Sequence, residues 1–318
     1  MIRSYGITLL IGLYAVWGLQ FVAEDSGPTK DSFPGAVQSA TPLRHTSRFR
    51  PTASEPEISD AVIPEAALAV TSGDKTRETA QELRRLLDDG ANKLRSQAGY
   101  TATFVKHEVV DDALQEAETI DLKLRHQPFS AYLKWRDVPQ QVLFVEGRYD
   151  NKVLARMAGV RGLLGTLKLE PTSSLALSET RYPVTELGLL KLTERLIRQC
   201  DRDLKAGDGY ALRQWGEATA AGRPCLLFVA EYDDRGLEPL YRKSLIWIDK
   251  EHFLPIAIKN YTWPADNSVA SADLDEATFI EHYEYRDLQF RQQFAQSDFD
   301  SANEQYAFRG GRKSVDVD

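Results

Sequence analysis

The chain has 318 residues, 42% hydrophobic, 10% aromatic and 27% charged, so it can bury a sizeable core and is not a wholly disordered polymer. Its 39 basic against 47 acidic residues give a net charge of −8 with no long basic block, which excludes an electrostatic surface for nucleic acid.

Arg3 precedes an uncharged, mostly apolar run from Tyr5 to Val22, and Glu24 and Asp25 follow it. Positive before and negative after orients such a segment with its N-terminus inside. At about 18 residues the run stands at the lower limit for a spanning helix and above the usual core of a cleavable signal. Cleavage after Ala23 would put Phe21 where a small residue is preferred, so residues 1–23 read as either a signal peptide or a retained membrane anchor. Both fates export the rest of the chain to the periplasmic or cell-envelope side. No cysteine lies near the segment to carry the lipid of a bacterial lipoprotein.

Residues 24–75 carry Pro28, Pro34, Pro42, Pro51, Pro56 and Pro64 among Ser, Thr, Ala and charges, without apolar periodicity, as a disordered linker does. About 50 such residues reach roughly 40 Å. A spacer of that reach makes sense when the first segment stays attached, which favours an inner-membrane anchor formed by residues 5–22. Residues 309–318 are polar and glycine-containing and read as a frayed tail. Residues 76–308 remain as one folded domain.

That domain opens with a helix after Asp74, because Leu83, Leu86, Leu87, Ala91 and Leu94 recur at three- and four-residue steps until Gly99. The period then changes to two. Ile120, Leu122 and Leu124 alternate with Asp121, Lys123 and Arg125, and Phe129 to Trp135 repeats the pattern. Gln141 to Gly147 and Val153 to Met157 flank the turn formers Tyr149, Asp150 and Asn151 and predict a hairpin. A second helix is expected from Thr185, as its N-cap, to Ala206, with Leu189, Leu192, Leu196, Ile197, Cys200 and Leu204 inward and Gly207 as its stop. Five more strands follow: Leu212 to Ala218, Cys225 to Tyr232, Ser244 to Asp249, Leu254 to Tyr261 and Thr278 to Leu288. Long runs of sequential strands with two main helices predict an α+β fold, a curved antiparallel sheet wrapped on those helices.

The segments Gly99 to Glu108 (GYTATFVKHE), Ile120 to Trp135, Val142 to Lys152 and Arg181 to Leu189 (RYPVTELGL), with Ser297 to Phe308 (SDFDSANEQYAF), resemble a family of exported bacterial proteins known as domain of unknown function 1571. A broader likeness, carried by the opening helix, the Tyr-x-Ala-x-Phe strand, Ser244 to Lys259 and Phe279 to Leu288, is to the lipoprotein-carrier fold of LolA and LolB type. That resemblance implies an incomplete barrel around helices, with a side that binds acyl chains, hence a lipid or an acylated protein as partner. The carriers lack the long linker found here, and their functional residues do not map one by one onto this chain.

The motifs of a catalytic centre are missing from the sequence. There is no His-Glu-x-x-His, Gly-x-Ser-x-Gly, Cys-x-x-Cys or phosphate loop, so the chain is expected to be a non-enzymatic binder or carrier of an apolar ligand with no cofactor and no metal, the alternatives being a structural or protein-interaction component of the envelope with a filled core and, behind it, a hydrolase or metal enzyme. Gly159, Gly162 and Gly165 read as a flexible loop. His107 beside Glu108, His252 beside Glu251, and His282 with Glu284 are the His–carboxylate neighbours available to acid–base or metal chemistry. Chance adjacency on strands is the plainer explanation. Asp111, Asp112, Glu116 and Glu118 lack EF-hand spacing and read as a solvated hairpin tip. Cys200 and Cys225 would meet oxidising conditions after export, where a disulfide persists, yet both sit in apolar patterns where cysteine acts as a small hydrophobe. Leu133, Trp135, Phe144, Phe228, Trp247 and Tyr283 fall on alternating strand positions and are the expected wall of the helix-facing side, as filled core or as cavity. Tyr132, Tyr261 and Trp263 are the expected rim.

Overall fold

The computed structural model describes residues 73–159, 162, 165–265 and 269–308, together with the backbone of 315–316. The apolar N-terminal run and nearly all of the proline-rich linker lie outside the described residues, as does part of the glycine loop. Among the described residues no helix is long and apolar enough to cross a membrane.

Helix α1 (Gly73–Arg95) forms where the leucines recur, with Leu83, Leu87 and Leu94 at most 1% exposed and the basic residues Lys93 and Arg95 in its last turn, where they complement the helix dipole. Gly90 is required by a close approach: a Cβ there would lie 2.2 Å from the carbonyl oxygen of Phe253. Helix α2 (Leu189–Ala206) packs against α1 and buries Leu192, Leu196 and Cys200, and Gly207, at φ +85°, stops it with its N–H on the Asp203 carbonyl. Its start is a correction to the sequence reading. Thr185 sits in a separate 3₁₀ turn, and the helix begins only after Gly188, whose φ of +111° is incompatible with helix. The hydroxyl of Tyr100 accepts the Leu189 N–H at 2.8 Å, serving as the cap that no neighbouring side chain provides.

The first meander consists of β1 (Gly99–Val110), the short β2 (Ala113–Leu114), β3 (Glu118–Arg125), β4 (Ser130–Trp135), β5 (Gln141–Val145), β6 (Val153–Arg156) and β7 (Leu167–Leu169). After a crossover and α2 comes a second meander, β8 (Tyr210–Ala220), β9 (Arg223–Tyr232), β10 (Lys243–Asp249), β11 (Pro255–Tyr261) and β12 (Phe279–Arg291), with the short helix α3 (Leu274–Thr278) leading into β12. Strand β12 returns to lie antiparallel beside β1, joining the meanders into one sheet of order β13-β7-β6-β5-β4-β3-β1-β12-β11-β10-β9-β8, where β13 is Val315–Asp316 and β2 hangs off β1. Among the described residues only β13 pairs in parallel and the sheet does not close, its outer strands being β8 and β13. Irregular register at Thr101–Thr103, Gln214–Gly216, Trp247–Ile248 and Asn260–Tyr261 bends these strands, as β-bulges do. The α+β prediction holds.

Both faces of the sheet are covered. Ile120, Leu122 and Leu124 are buried on the helix face. On the far face, Tyr132, Leu143, Val145 and Leu154 are covered by Phe299, Tyr306 and Phe308, so residues 292–308 form a strap. Tyr306 stacks on Tyr132 with ring centroids 3.8 Å apart, and Asp298 pairs with Lys123 at 2.6 Å. The strap should be an integral part of the domain. Phe299→Ala is expected to cost about 3–5 kcal/mol in denaturant unfolding, whereas Leu114→Ala at an exposed turn should change stability by less than about 0.5 kcal/mol.

Candidate functional site

Between the helix face of the first meander and the 170–188 crossover lies a cavity of about 150 Å³. The strands contribute alternate residues, because only every second side chain points to this face. Phe104 of β1, Ile120 of β3, Leu133 and Trp135 of β4 and Val142 of β5 form the floor; Leu175 and Val184 of the crossover and Leu192 of α2 form the roof. Its wall is mostly apolar, and a space of this size admits a benzene-sized group.

One end of the cavity is polar, and nearly every polar group there is spent on holding the crossover. Glu281 of β12, 0% exposed, accepts hydrogen bonds from Arg181 Nε (2.8 Å), the Tyr182 hydroxyl (3.0 Å), the Tyr241 hydroxyl (2.8 Å) and Asn260 Nδ2 (2.7 Å). Arg181 also donates to the Val109 carbonyl. Lys106 of β1 donates to the Glu179 carbonyl at 2.8 Å and pairs with Glu108 and Glu118 at 2.9 and 2.7 Å. Burial disfavours its charge, but the two carboxylates outweigh burial and hold its pKa above the ordinary 10.5. The Tyr283 hydroxyl closes on Glu108, and burial raises it well above the usual tyrosine range. The indole N–H of Trp135 ends on Glu118 at 2.8 Å.

The expected wall residues divide into two sets. Leu133, Trp135 and Tyr283 line the cavity. Phe144, Phe228 and Trp247 are not among its lining residues. Phe144 is on the same face but packs behind the cavity with Phe129, ring centroids 6.0 Å apart, and Phe228 is fully buried in the main core. Trp247 is on the opposite face: the ladder Tyr283–Ile258–Ile246–Phe228 runs along the helix side, and Trp247, one residue on, stacks with His282 instead. The three expected rim residues are not among the cavity's lining residues either. Tyr132 lies under the strap, Tyr261 packs edge-on against Phe279, and Trp263 donates to the Glu238 carbonyl. Residues that sequence reasoning passed over are Lys106, Glu281 and Arg195; the first two break a strand's alternation by placing charge at inward positions, a signal that was legible.

The His–carboxylate neighbours do not assemble a shared centre. His107 faces the Phe279 ring, and His282 lies against Trp247. Asp249, Glu251 and His252 come together at the β10–β11 turn. There the Asp249 carboxylate is taken by Arg223 at 2.6 Å and by the backbone N–H groups of Glu251 and His252, which is turn chemistry. Asp111 and Asp112, at φ +49° and +61°, form the tip between β1 and β2. Cys200 and Cys225 are free and buried, not bridged, and burial pushes each thiol up to about 12.

Two measurements probe this arrangement. Removing Glu281 strands Arg181 in a largely buried position, so Glu281→Ala should lower stability by about 3–5 kcal/mol in urea unfolding; a loss below about 1 kcal/mol would contradict the bracing role. Burial, with Lys259, His107 and Arg286 adding repulsion, pushes His282 down to about 3 from its ordinary 6.5. Its contribution to stability is therefore complete above pH 6.5 and is lost as pH falls toward 3. His282→Phe keeps the stack on Trp247, and its melting temperature should decline less steeply than the parent's across that window.

Residues 97–308 match the family model described as Protein of unknown function (DUF1571). No curated protein matches the chain. Among solved structures, the MucA/MucB complex of Pseudomonas aeruginosa is 15% identical over 69% of this chain and 60% of that one, with a TM-score of 0.37. This chain thus spans less than two thirds of that protein's length. The lipoprotein LppX of Mycobacterium tuberculosis is 10% identical, with 68% of this chain and 98% of that one covered and a TM-score of 0.38. A LolA superfamily protein from Nitrosomonas europaea is 12% identical over 70% and 97% of the two chains, with a TM-score of 0.26.

Proposed function

We propose, for a chain that belongs to the Protein of unknown function (DUF1571) family, that the domain is a non-enzymatic binder of an apolar group, the acyl chain of a lipid or of an acylated protein, in the cell envelope. The observation that carries this reading is the cavity itself, because a sheet serving only as a scaffold would have packed Leu133, Val142 and Leu192 into contact. Its polar neighbours support binding over chemistry. Lys106, Glu108, Glu118, Arg181 and Glu281 are matched to one another, and a catalytic group needs a partner in the substrate instead.

The size of the cavity limits the claim. About 150 Å³ admits one end of an acyl chain or one apolar side chain, not a whole lipid. Longer chains enter only if the crossover lifts, which requires its brace on Glu281 to give. In the same reading, residues 1–23 deliver the domain across the membrane, as signal or inner-membrane anchor, and residues 24–75 are the spacer.

Val142→Phe places a ring in the cavity. The purified chain should bind a fluorescent fatty acid saturably, and Val142→Phe should weaken that binding at least about tenfold, roughly the 1.4 kcal/mol that losing one apolar subsite costs, while unfolding like the parent. If the parent does not saturate and solvent extraction releases no lipid, the domain is a filled scaffold and the proposal fails.

A further inference from the structure

One cation in the cavity wall has no internal acceptor. Arg195 lies one turn beyond Leu192 on α2, so the two side chains share a helix face, and both line the cavity. Its guanidinium carbon sits 4.8 Å from the centre of the Tyr182 ring, a cation–π contact. Such a contact consumes none of the five N–H donors that a guanidinium carries. Among the described residues nothing accepts a hydrogen bond from Arg195, and no carboxylate forms an ion pair with it.

The surroundings explain why no internal partner serves. Glu281, the anion whose field reaches Arg195, already accepts from Arg181, Tyr182, Tyr241 and Asn260. Glu194, adjacent in sequence, is turned to Arg95 at 2.8 Å. Glu179 accepts from Gln140. Glu186, the remaining carboxylate on the cavity lining, is exposed to solvent and makes no ion pair with Arg195. Lys106 is matched to two carboxylates, so Arg195 is the cation of this wall left to meet something from outside. A planar guanidinium carries paired N–H donors in a two-pronged array, the shape that carboxylate and phosphate oxygens fit.

Resting on the reading of the cavity as an acyl site, we propose that the ligand is a single-chain anionic amphiphile, whose tail enters between Leu133, Val142 and Leu192 and whose carboxylate or phosphate head is held by the N–H donors of Arg195. Tail and head contacts are then about one helical turn apart on α2. The Tyr182 ring serves twice, anchoring the crossover to Glu281 and orienting the guanidinium. The head interaction supplies selectivity for anions over alcohols of equal chain length.

The test titrates the full chain with decanoate, with decan-1-ol and with acetate, by calorimetry, for the parent, Arg195→Gln and Arg195→Lys. The expected result is decanoate tighter than decan-1-ol in the parent, no measurable acetate binding, and a loss of about ten- to a hundred-fold for decanoate in Arg195→Gln, with decan-1-ol changed less than about twofold. Arg195→Lys should fall between, keeping the charge and losing the fork. Equal affinity of the parent for decanoate and decan-1-ol, equal loss of both in Arg195→Gln, or acetate bound as well as decanoate would each overturn the head-group assignment. If the parent binds neither ten-carbon compound, it is the acyl-site reading that fails.

Discussion

A carboxylate with no solvent exposure, Glu281, sets the height at which the crossover passes over the sheet. It accepts from Arg181 and Tyr182 of the crossover, from Tyr241 before β10 and from Asn260 on β11, and so ties three separate stretches of chain to one point on β12. A buried charge is tolerable only when matched so completely, and the matching is stiff because every donor has a fixed direction. Lys106 repeats the arrangement on β1 by holding the Glu179 carbonyl. With these two struts in place the apolar roof cannot settle onto Phe104 and Leu133, and the gap beneath it is the cavity. Hydrophobic burial alone would close that gap. The polar brace keeps it.

Much of this was legible in the chain, for reasons tied to particular residues. The leucine spacing of α1 and the alternation of Ile120, Leu122 and Leu124 fix helix and strand because burial on one face imposes a period. Tyr149, Asp150 and Asn151, all at φ between +55° and +61°, are the turn that their composition implies. Boundaries set by tertiary contact were not legible. Thr185 has the chemistry of an N-cap, but Gly188 and the distant hydroxyl of Tyr100 decide where α2 starts.

The site was legible in part. Leu133, Trp135 and Tyr283 line the cavity, on strand positions whose alternation points them to the helix side. Trp247 lies on the opposite face, and its strand does not announce this, since both faces of β10 are buried and a continuous apolar strand carries no parity signal. Phe299, Tyr306 and Phe308 look like scattered aromatics in a polar tail and become a layer only once the far face of β4–β6 is known. Arg195 on an amphipathic helix reads as solvated surface. Its meaning comes from the contact with Tyr182 and from the absence of a free carboxylate within reach, which only three dimensions disclose.

The account turns on an apolar gap that persists beneath a braced crossover, and xenon tests it most directly, because the atom enters apolar gaps without needing a specific chemistry. A crystal of the protein pressurised with xenon should show one strong anomalous peak between Leu133, Val142 and Leu192. A structure with no peak there, and with the roof side chains in contact with the sheet, would contradict the account.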